Sequence, residues 1–299
     1  MAKRVFAFGC SFTEYQWPTW ADFIGRTYHN KGYEYYNFGN SGAGNYYILA
    51  SLFAADTKYK FDKDDIILVM WSSWTRDDRY VLDYMWRVPD DPNKRLRGEW
   101  TKRGNILNIT EPVENHYDAI GSRALTDWCL ENDIVKNLLA IKAARSMYNI
   151  NFEDTILAHE GSIVESEMEV NSVEHRIFEK YLKVTGSEKW KENNWNQIMQ
   201  LEHLCPYNDP LHEGVKMQDG HPLPLQHAWY VKDKTPFTLD ESTVNYAHRF
   251  QDYMRRVVSE GNNKGDFQDR HSADLKEYTA GTYIDLWKDD IFIDLLDAL

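Results

Sequence analysis

A run of five consecutive apolar residues, Ile66 to Met70, limits the folds open to this chain more than any other feature. An unbroken apolar run of that length predicts a strand covered on both faces, as strands of parallel sheets are. Shorter apolar runs upstream predict two more strands, each followed by a helix: strands at 4–8 and 34–38, helices at 20–28 and 45–55. This alternation favours a parallel α/β sheet with right-handed crossovers.

Downstream, the pattern predicts a long helix, a fourth strand and a closing helix, at 125–148, 152–158 and 242–259. Two polar segments with little periodicity, 88–123 and 160–217, are interpreted as loop-rich insertions, the first of them at the carboxyl edge of the sheet. We therefore expect one domain over residues 1–260, followed at 261–299 by a linker and an acidic, apolar tail.

Composition excludes several function classes. The formal net charge of -13 repels phosphate backbones, so nucleic acid is not an expected partner. No apolar run is long enough to span a membrane, and the N-terminus enters a strand without a signal peptide, so we expect a cytoplasmic protein with no membrane partner. Association with a virion is the alternative if the source is viral. Three cysteines without tight spacing favour reduced thiols over a disulfide framework.

Candidate chemistry lies after the first predicted strand. Ser11 follows that strand directly, and ligands of open α/β sheets bind outside the carboxyl ends of the strands. A serine nucleophile needs a base and an orienting acid, which His221 and Asp219 supply from a single short loop. Gly42, after the second predicted strand, can bring a backbone N–H close to a substrate oxygen because it has no Cβ.

Three short segments carry a resemblance to a known family. Residues 9–13 read GCSFT, residues 37–42 read NFGNSG, and residues 219–222 read DGHP. Together they resemble the SGNH (GDSL-type) hydrolases, and the first segment resembles divergent members from bacterial viruses. The resemblance covers the N-terminal part of the chain and the 219–222 region. It implies a three-layer α/β/α sandwich with a central parallel sheet, the flavodoxin-like SGNH hydrolase fold.

The resemblance also implies an activity. It predicts a serine esterase, or acyl hydrolase, that forms an acyl-Ser11 intermediate, with His221 as the base and Asp219 as the acid that orients it. Gly42 and the Ser11 N–H would form the oxyanion hole. The richness in aromatic residues, 11 Trp and 19 Tyr, favours either packing or a sugar-facing surface, so the substrate is expected to be an ester of a carbohydrate or a related small molecule.

The chain departs from the family pattern at three places. Cys10 replaces the usual aspartate before the serine, and packing under the turn is its expected role rather than nucleophilic attack. Acid and base are one residue closer together than in the family's Asp-x-x-His. The family asparagine that completes the oxyanion hole is replaced by Trp74, so the candidate donors are Ser73, Arg76 and the Trp74 indole N–H.

Two alternatives stay open. A catalytically degenerate SGNH fold could serve as a binding or structural protein, for example of a virus particle, and the C-terminal tail could dock on its own domain or on a second copy in a homo-oligomer. A zinc site is the second alternative, because several potential ligands lie close together in sequence: His203, Cys205, His212, His221 and His227. Their spacings match no tight ligand pair, so we expect neither a metal nor a cofactor.

Overall fold

The computed structural model describes residues 3–72, 76–82, 98–105, 123–155, 221–260 and 264–286. For residues 76–77, 79–82, 98–105, 123–134 and 264–266 it describes the backbone alone. The predicted insertion at 160–217 lies outside these ranges, as do the residues after Leu286.

The described chain alternates strands and helices. The strands are β1 (Arg4–Phe8), β2 (Glu34–Asn37), β3 (Ile66–Trp71), β4 (Arg76–Leu82), β5 (Gly98–Asn105), β6 (Phe152–Thr155) and β7 (Thr279–Thr282). The helices are α1 (Trp20–His29), α2 (Asn45–Tyr59), α3 (Arg123–Met147), α4 (Pro224–Lys234), α5 (Glu241–Ser259), α6 (Lys264–Leu275) and α7 (Tyr283–Leu286).

Five of these strands form one all-parallel sheet in the order β6-β3-β1-β2-β7. The central strand β1 pairs with β2 and β3, so that Val5 lies between Tyr35 and Ile66. The apolar run at Ile67–Met70 is buried, as expected for a strand covered on both faces. The predicted parallel α/β sheet is therefore confirmed.

Helices flank the sheet on both faces. Successive side chains of a strand point to opposite faces. Tyr35 of β2 packs so closely on Gly25 of α1 that a Cβ there would lie 2.4 Å from the tyrosine ring. The ring of the next residue, Tyr36, lies 4.7 Å from the ring of Tyr59 at the end of α2. Helices α1 and α2 therefore cover opposite faces, an arrangement compatible with a three-layer sandwich.

The sheet includes a strand from the C-terminal part of the chain. β7 pairs with β2, and the flanking side chains of Tyr278 and Leu286 are buried in the main core. The stretch after residue 261, expected to be a linker and tail, thus contributes β7 to the sheet and Leu286 to the core. The sequence TAGT did not reveal this strand because it contains no apolar run.

Two other elements differ from the sequence-based expectation. β5 lies inside the segment 88–123, which was expected to be loop-rich, and it pairs antiparallel with β4 in a separate two-stranded sheet. Helix α4 was not predicted from the sequence. Proline is favoured at the first position of a helix, where its missing N–H costs no hydrogen bond, and Pro224 occupies that position.

Candidate active site

The structure brings Ser11 and His221 together at the carboxyl edge of the sheet. Ser11 follows β1, and its Oγ lies 2.8 Å from Nε2 of His221, although 210 residues separate them in the chain. Ser11 is 4% exposed, whereas His221 is half-buried. The pair predicted from residue type and chain order is thus in hydrogen-bond contact.

A tight turn keeps Ser11 at the end of β1. The carbonyl of Cys10 accepts hydrogen bonds from the N–H groups of Thr13 and Glu14, at 2.9 and 3.0 Å. The turn requires glycine at position 9, because a Cβ there would lie 2.0 Å from Oγ1 of Thr13 and 3.0 Å from the backbone oxygen of Met70. Cys10 itself is fully buried. Its predicted packing under the turn agrees with this position.

Side chains from the segment that follows Ser11 contact His221 and the residue after it. The indole N–H of Trp17, a fully buried residue, donates a hydrogen bond of 2.8 Å to the carbonyl of Pro222. The ring of Tyr15 stacks on the imidazole of His221 with centroids 3.9 Å apart and an interplanar angle of 18°. The ring of Phe12 lies 5.3 Å from the same imidazole. One short segment, 11–17, therefore presents the hydroxyl and orients the imidazole.

The donor and acceptor roles in the Ser11–His221 contact depend on the tautomer of the imidazole. Nε2 can accept the Ser11 proton only when the ring proton is on Nδ1. In a serine–histidine pair of this kind, a carboxylate on Nδ1 holds that tautomer. The residue predicted for this role, Asp219, lies outside the described residues. Its role stays a prediction.

The loop after β2 lines the other side of the Ser11 turn. The N–H of Asn40 donates to the carbonyl of Gly9 at 3.0 Å, and the N–H of Ala43 donates to the carbonyl of Asn40 at 3.0 Å. Gly42 completes this turn with a φ of 80°, a left-handed conformation that glycine adopts without steric cost. The structure thus places Gly42 in a loop joined to the Ser11 turn. Its role as an oxyanion donor stays a prediction.

Side-chain hydrogen bonds connect this loop to the end of β3. Asn45 accepts from the N–H of Ser72 at 2.7 Å and donates to the Ser72 carbonyl at 3.1 Å. The buried carboxylate of Asp78, on β4, accepts from the N–H groups of Gly44 and Tyr47 at 2.9 and 3.0 Å. It therefore caps the N-terminus of α2, where a negative charge is favourable. Sequence reasoning missed both contacts.

The remaining predicted oxyanion donors are not placed. Ser73 and Trp74 lie outside the described residues, and Arg76 begins β4 with its side chain not described. The histidines and cysteine of the zinc alternative, His203, Cys205 and His212, lie outside the described residues as well. Within the described ranges, no three His, Cys, Asp or Glu side chains are grouped as metal ligands would be.

A buried histidine, His227 on α4, lies near His221 and is 1% exposed. Burial lowers its pKa to about 3, although the charge of Asp22 opposes the shift, and His221 makes a smaller contribution in the same direction as burial. His227 is therefore neutral at ordinary pH. It adds no positive charge next to His221, and a neutral neighbour does not oppose a positive charge on that imidazole.

Asp22 is the buried carboxylate of this region. Burial raises its pKa, but His271 and hydrogen bonds from Thr19 and Asn37 outweigh that effect and leave the pKa below its ordinary value. The bonds from the Thr19 N–H and the Asn37 amide are both 2.9 Å long. Because Asn37 also donates to the carbonyl of Thr13, this charged network supports the turn that carries Ser11.

The chain matches no protein-family profile, no curated protein and no solved structure. None of the helices within the described ranges combines the length and apolar character required to cross a bilayer. The evidence on function therefore comes from the geometry of the site itself.

Proposed function

We propose that this protein is a serine hydrolase that cleaves carboxylic esters through an acyl-Ser11 intermediate. The observation that carries the proposal is the 2.8 Å contact between Oγ of Ser11 and Nε2 of His221 at the carboxyl edge of a parallel sheet. A serine hydroxyl is a weak nucleophile at neutral pH, and an imidazole within hydrogen-bond reach is the group that activates it.

The proposed reaction has two steps that use the same two side chains. Oγ of Ser11 attacks the ester carbonyl carbon while Nε2 of His221 takes the hydroxyl proton, and the leaving alcohol then receives that proton as the carbon–oxygen bond breaks. In the second step water attacks the acyl carbon, giving a proton to Nε2 that returns to Oγ as the acid leaves. The N–H groups of Ser11 and Gly42 are the proposed donors to the oxyanion.

The topology supports this proposal. In an open α/β sheet, ligands bind where neighbouring loops diverge because the strand order reverses. Here β1 connects to β2 on one side, and the chain then returns to β3 on the other side of β1. Ser11 follows β1 at that switch point. Four of the five strands, in the order β2-β1-β3-β6, follow the flavodoxin-like order, and β7 adds a strand outside β2. On this partial match and the resemblance in sequence, we propose the three-layer SGNH fold for the chain.

The substrate class follows from the resemblance and from the composition of the chain. We propose an acyl or acetyl ester of a small molecule, with a carbohydrate as the favoured alcohol, because the chain is rich in aromatic residues, with 11 Trp and 19 Tyr. Flat rings of this kind suit sugars, which present one apolar face and a polar rim.

The test combines labelling with turnover. A fluorophosphonate probe and p-nitrophenyl acetate are given to the wild type, to Ser11→Ala and to the matched control Ser41→Ala, which removes an exposed hydroxyl from the neighbouring loop. We expect Ser11→Ala to abolish labelling and to lower kcat by at least about 10⁴-fold, because no other group replaces the nucleophile. Ser41→Ala should keep both. Turnover that survives Ser11→Ala would refute the mechanism, and a wild type that neither reacts nor turns over would favour a binding protein on a degenerate fold.

A further inference from the structure

A cavity of about 580 Å³ lies between helices α1, α5 and α6, and none of its lining residues belongs to the Ser11–His221 site. Four arginines line it: Arg26 from α1, Arg249 and Arg256 from α5, and Arg270 from α6. The volume is within the range of small-molecule sites, which runs from roughly 300 to 1,000 Å³. A cluster of arginines is unexpected in a protein with a formal net charge of -13.

Three of these guanidinium groups have no carboxylate partner among the described residues. Arg249 and Arg256 are exposed and form no ion pair there. The guanidinium of Arg26 lies 4.4 Å from the ring centroid of Tyr246, and its buried Nε makes no hydrogen bond. A buried donor without an acceptor costs free energy unless a ligand completes it.

The carboxylates that line the cavity do not neutralise these arginines. Asp274 accepts from the hydroxyl of Tyr246 at 2.9 Å and pairs with Arg270 at 3.2 Å. Asp252 pairs with Arg255, which is not a lining residue, at 3.1 Å. The third carboxylate, Glu277, is exposed to solvent, where its charge is screened.

The cavity also has an aromatic wall. Tyr246 and Phe250 are buried beneath it, and the ring of Tyr253 is half-buried at its side. The guanidinium groups of Arg256 and Arg270 lie 5.9 and 6.0 Å from the centroid of that ring, so two cations converge on one aromatic side chain. Planar guanidinium groups bind phosphate oxygens in pairs, and an aromatic wall suits the organic part of a ligand.

We propose that this cavity is a binding site for a phosphorylated small molecule, with the phosphate held by Arg26, Arg249 and Arg256 and the organic part against Tyr253. The site is separate from the proposed hydrolase centre, because binding there needs neither Ser11 nor His221. A phosphate monoester of nucleotide size fits the volume and satisfies the unpaired donors. The expected ligand is therefore an anion, although the net negative charge of the whole protein repels anions.

Isothermal titration calorimetry of the full chain tests this proposal with two probes, inorganic phosphate and AMP. The test variant is Arg249→Gln/Arg256→Gln, which removes two exposed charges without disturbing the core. The control is Lys232→Gln, which removes an exposed positive charge on α4, outside the cavity lining. Arg26→Lys is the second variant, since it keeps the charge but loses the planar group. Circular dichroism melts check that every variant is folded.

We expect the wild type to bind AMP more tightly than phosphate, and the double variant to bind AMP at least about tenfold more weakly, because charge-assisted hydrogen bonds are lost. Lys232→Gln should bind as the wild type does, and Arg26→Lys should weaken binding as well. The proposal is overturned if neither probe binds at millimolar concentration in low salt, or if Lys232→Gln weakens binding as much as the double variant. Ester hydrolysis is not the readout, so failure of one proposal leaves the other intact.

Discussion

The indole N–H of Trp17 donates a hydrogen bond to the carbonyl of Pro222, 2.8 Å away and 205 residues further along the chain. Pro222 directly follows His221, so this bond connects the segment that presents the hydroxyl to the loop that carries the imidazole. Both partners are buried, which makes loss of the bond costly, because the Pro222 carbonyl would be left without its donor.

Replacement of this donor should damage stability and catalysis together. We expect Trp17→Phe to lower the free energy of unfolding by about 2–3 kcal/mol, from the lost hydrogen bond and the space left in the core. If the proposed mechanism holds, kcat for p-nitrophenyl acetate falls while KM changes little, because His221 is less well positioned. Urea unfolding and steady-state kinetics measure the two effects.

Trp20→Phe is the matched control for that variant. Trp20 is also fully buried, but its indole N–H has no hydrogen-bond partner among the described residues. The same change in side-chain volume there removes no bond, so the loss of stability should be smaller by about 1–2 kcal/mol. Equal losses at both positions would show that the Trp17–Pro222 bond contributes nothing.

The stacking of Tyr15 on His221 should matter for the rate rather than for the fold. An aromatic face stabilises a cation above it, and in the proposed mechanism His221 becomes a cation when it accepts the Ser11 proton. We expect Tyr15→Leu to lower kcat by about fivefold to tenfold, corresponding to about 1 kcal/mol or slightly more, whereas Tyr15→Phe keeps the ring and the rate. Steady-state kinetics on the three proteins decide this, and identical kcat values for the leucine variant and the wild type would contradict it.

His227 should make the protein sensitive to acid. Burial lowers the pKa of His227 to about 3 in the folded protein, from its ordinary 6.5. Between those values the unfolded chain therefore binds one more proton than the folded chain. The contribution of His227 to the free energy of unfolding is complete above about pH 6.5, and it falls by about 1.4 kcal/mol per pH unit as the pH decreases below that value. From about pH 6.5 to about pH 5 this loss amounts to about 2 kcal/mol.

The variant His227→Gln tests that dependence. It lacks the titrating group, so its stability should fall by about 2 kcal/mol less than that of the wild type over the same pH interval, in urea unfolding experiments. His248→Gln, an exposed position on α5, is the control and should keep the wild-type pH dependence. The same acid sensitivity in His227→Gln and in the wild type would place the responsible group elsewhere.

Asp78 should stabilise the loop that contains Gly42. Its carboxylate accepts from the N–H groups of Gly44 and Tyr47 at the start of α2. We expect Asp78→Ala to cost about 1–3 kcal/mol, because two helix N–H groups lose a buried, charged acceptor. Asp64→Ala, at an exposed position, should cost less than about 0.5 kcal/mol. Thermal or urea unfolding of both variants measures the difference.

Parts of the fold were predictable because burial leaves a periodic pattern in the sequence. The apolar run before Trp71 and the spaced apolar residues of α5 indicated their elements to within a residue or two. β7 has no such pattern, since the four residues TAGT are held by pairing with β2 rather than by their own side chains. Long-range pairing of this kind is not visible in local sequence.

The candidate site was likewise predictable only in part. Ser11 and His221 were predicted to meet because their residue types and chain order suit one reaction, and the structure places them in contact. The roles of Tyr15 and Trp17 were not predictable. The chain contains 19 Tyr and 11 Trp, and nothing in their spacing separates rings that fill a core from rings that contact the loop of His221.

The position of β7 affects how the protein is made. Strands β1, β2 and β3 emerge from the ribosome early, but the free edge of β2 is covered only when residues 279–282 have been synthesised. Until then the nascent chain displays unpaired backbone donors and acceptors, which extended segments of other polypeptides can engage. Products of premature termination before Thr279 should therefore depend on chaperones and self-associate, while the full-length protein closes that edge with its own strand.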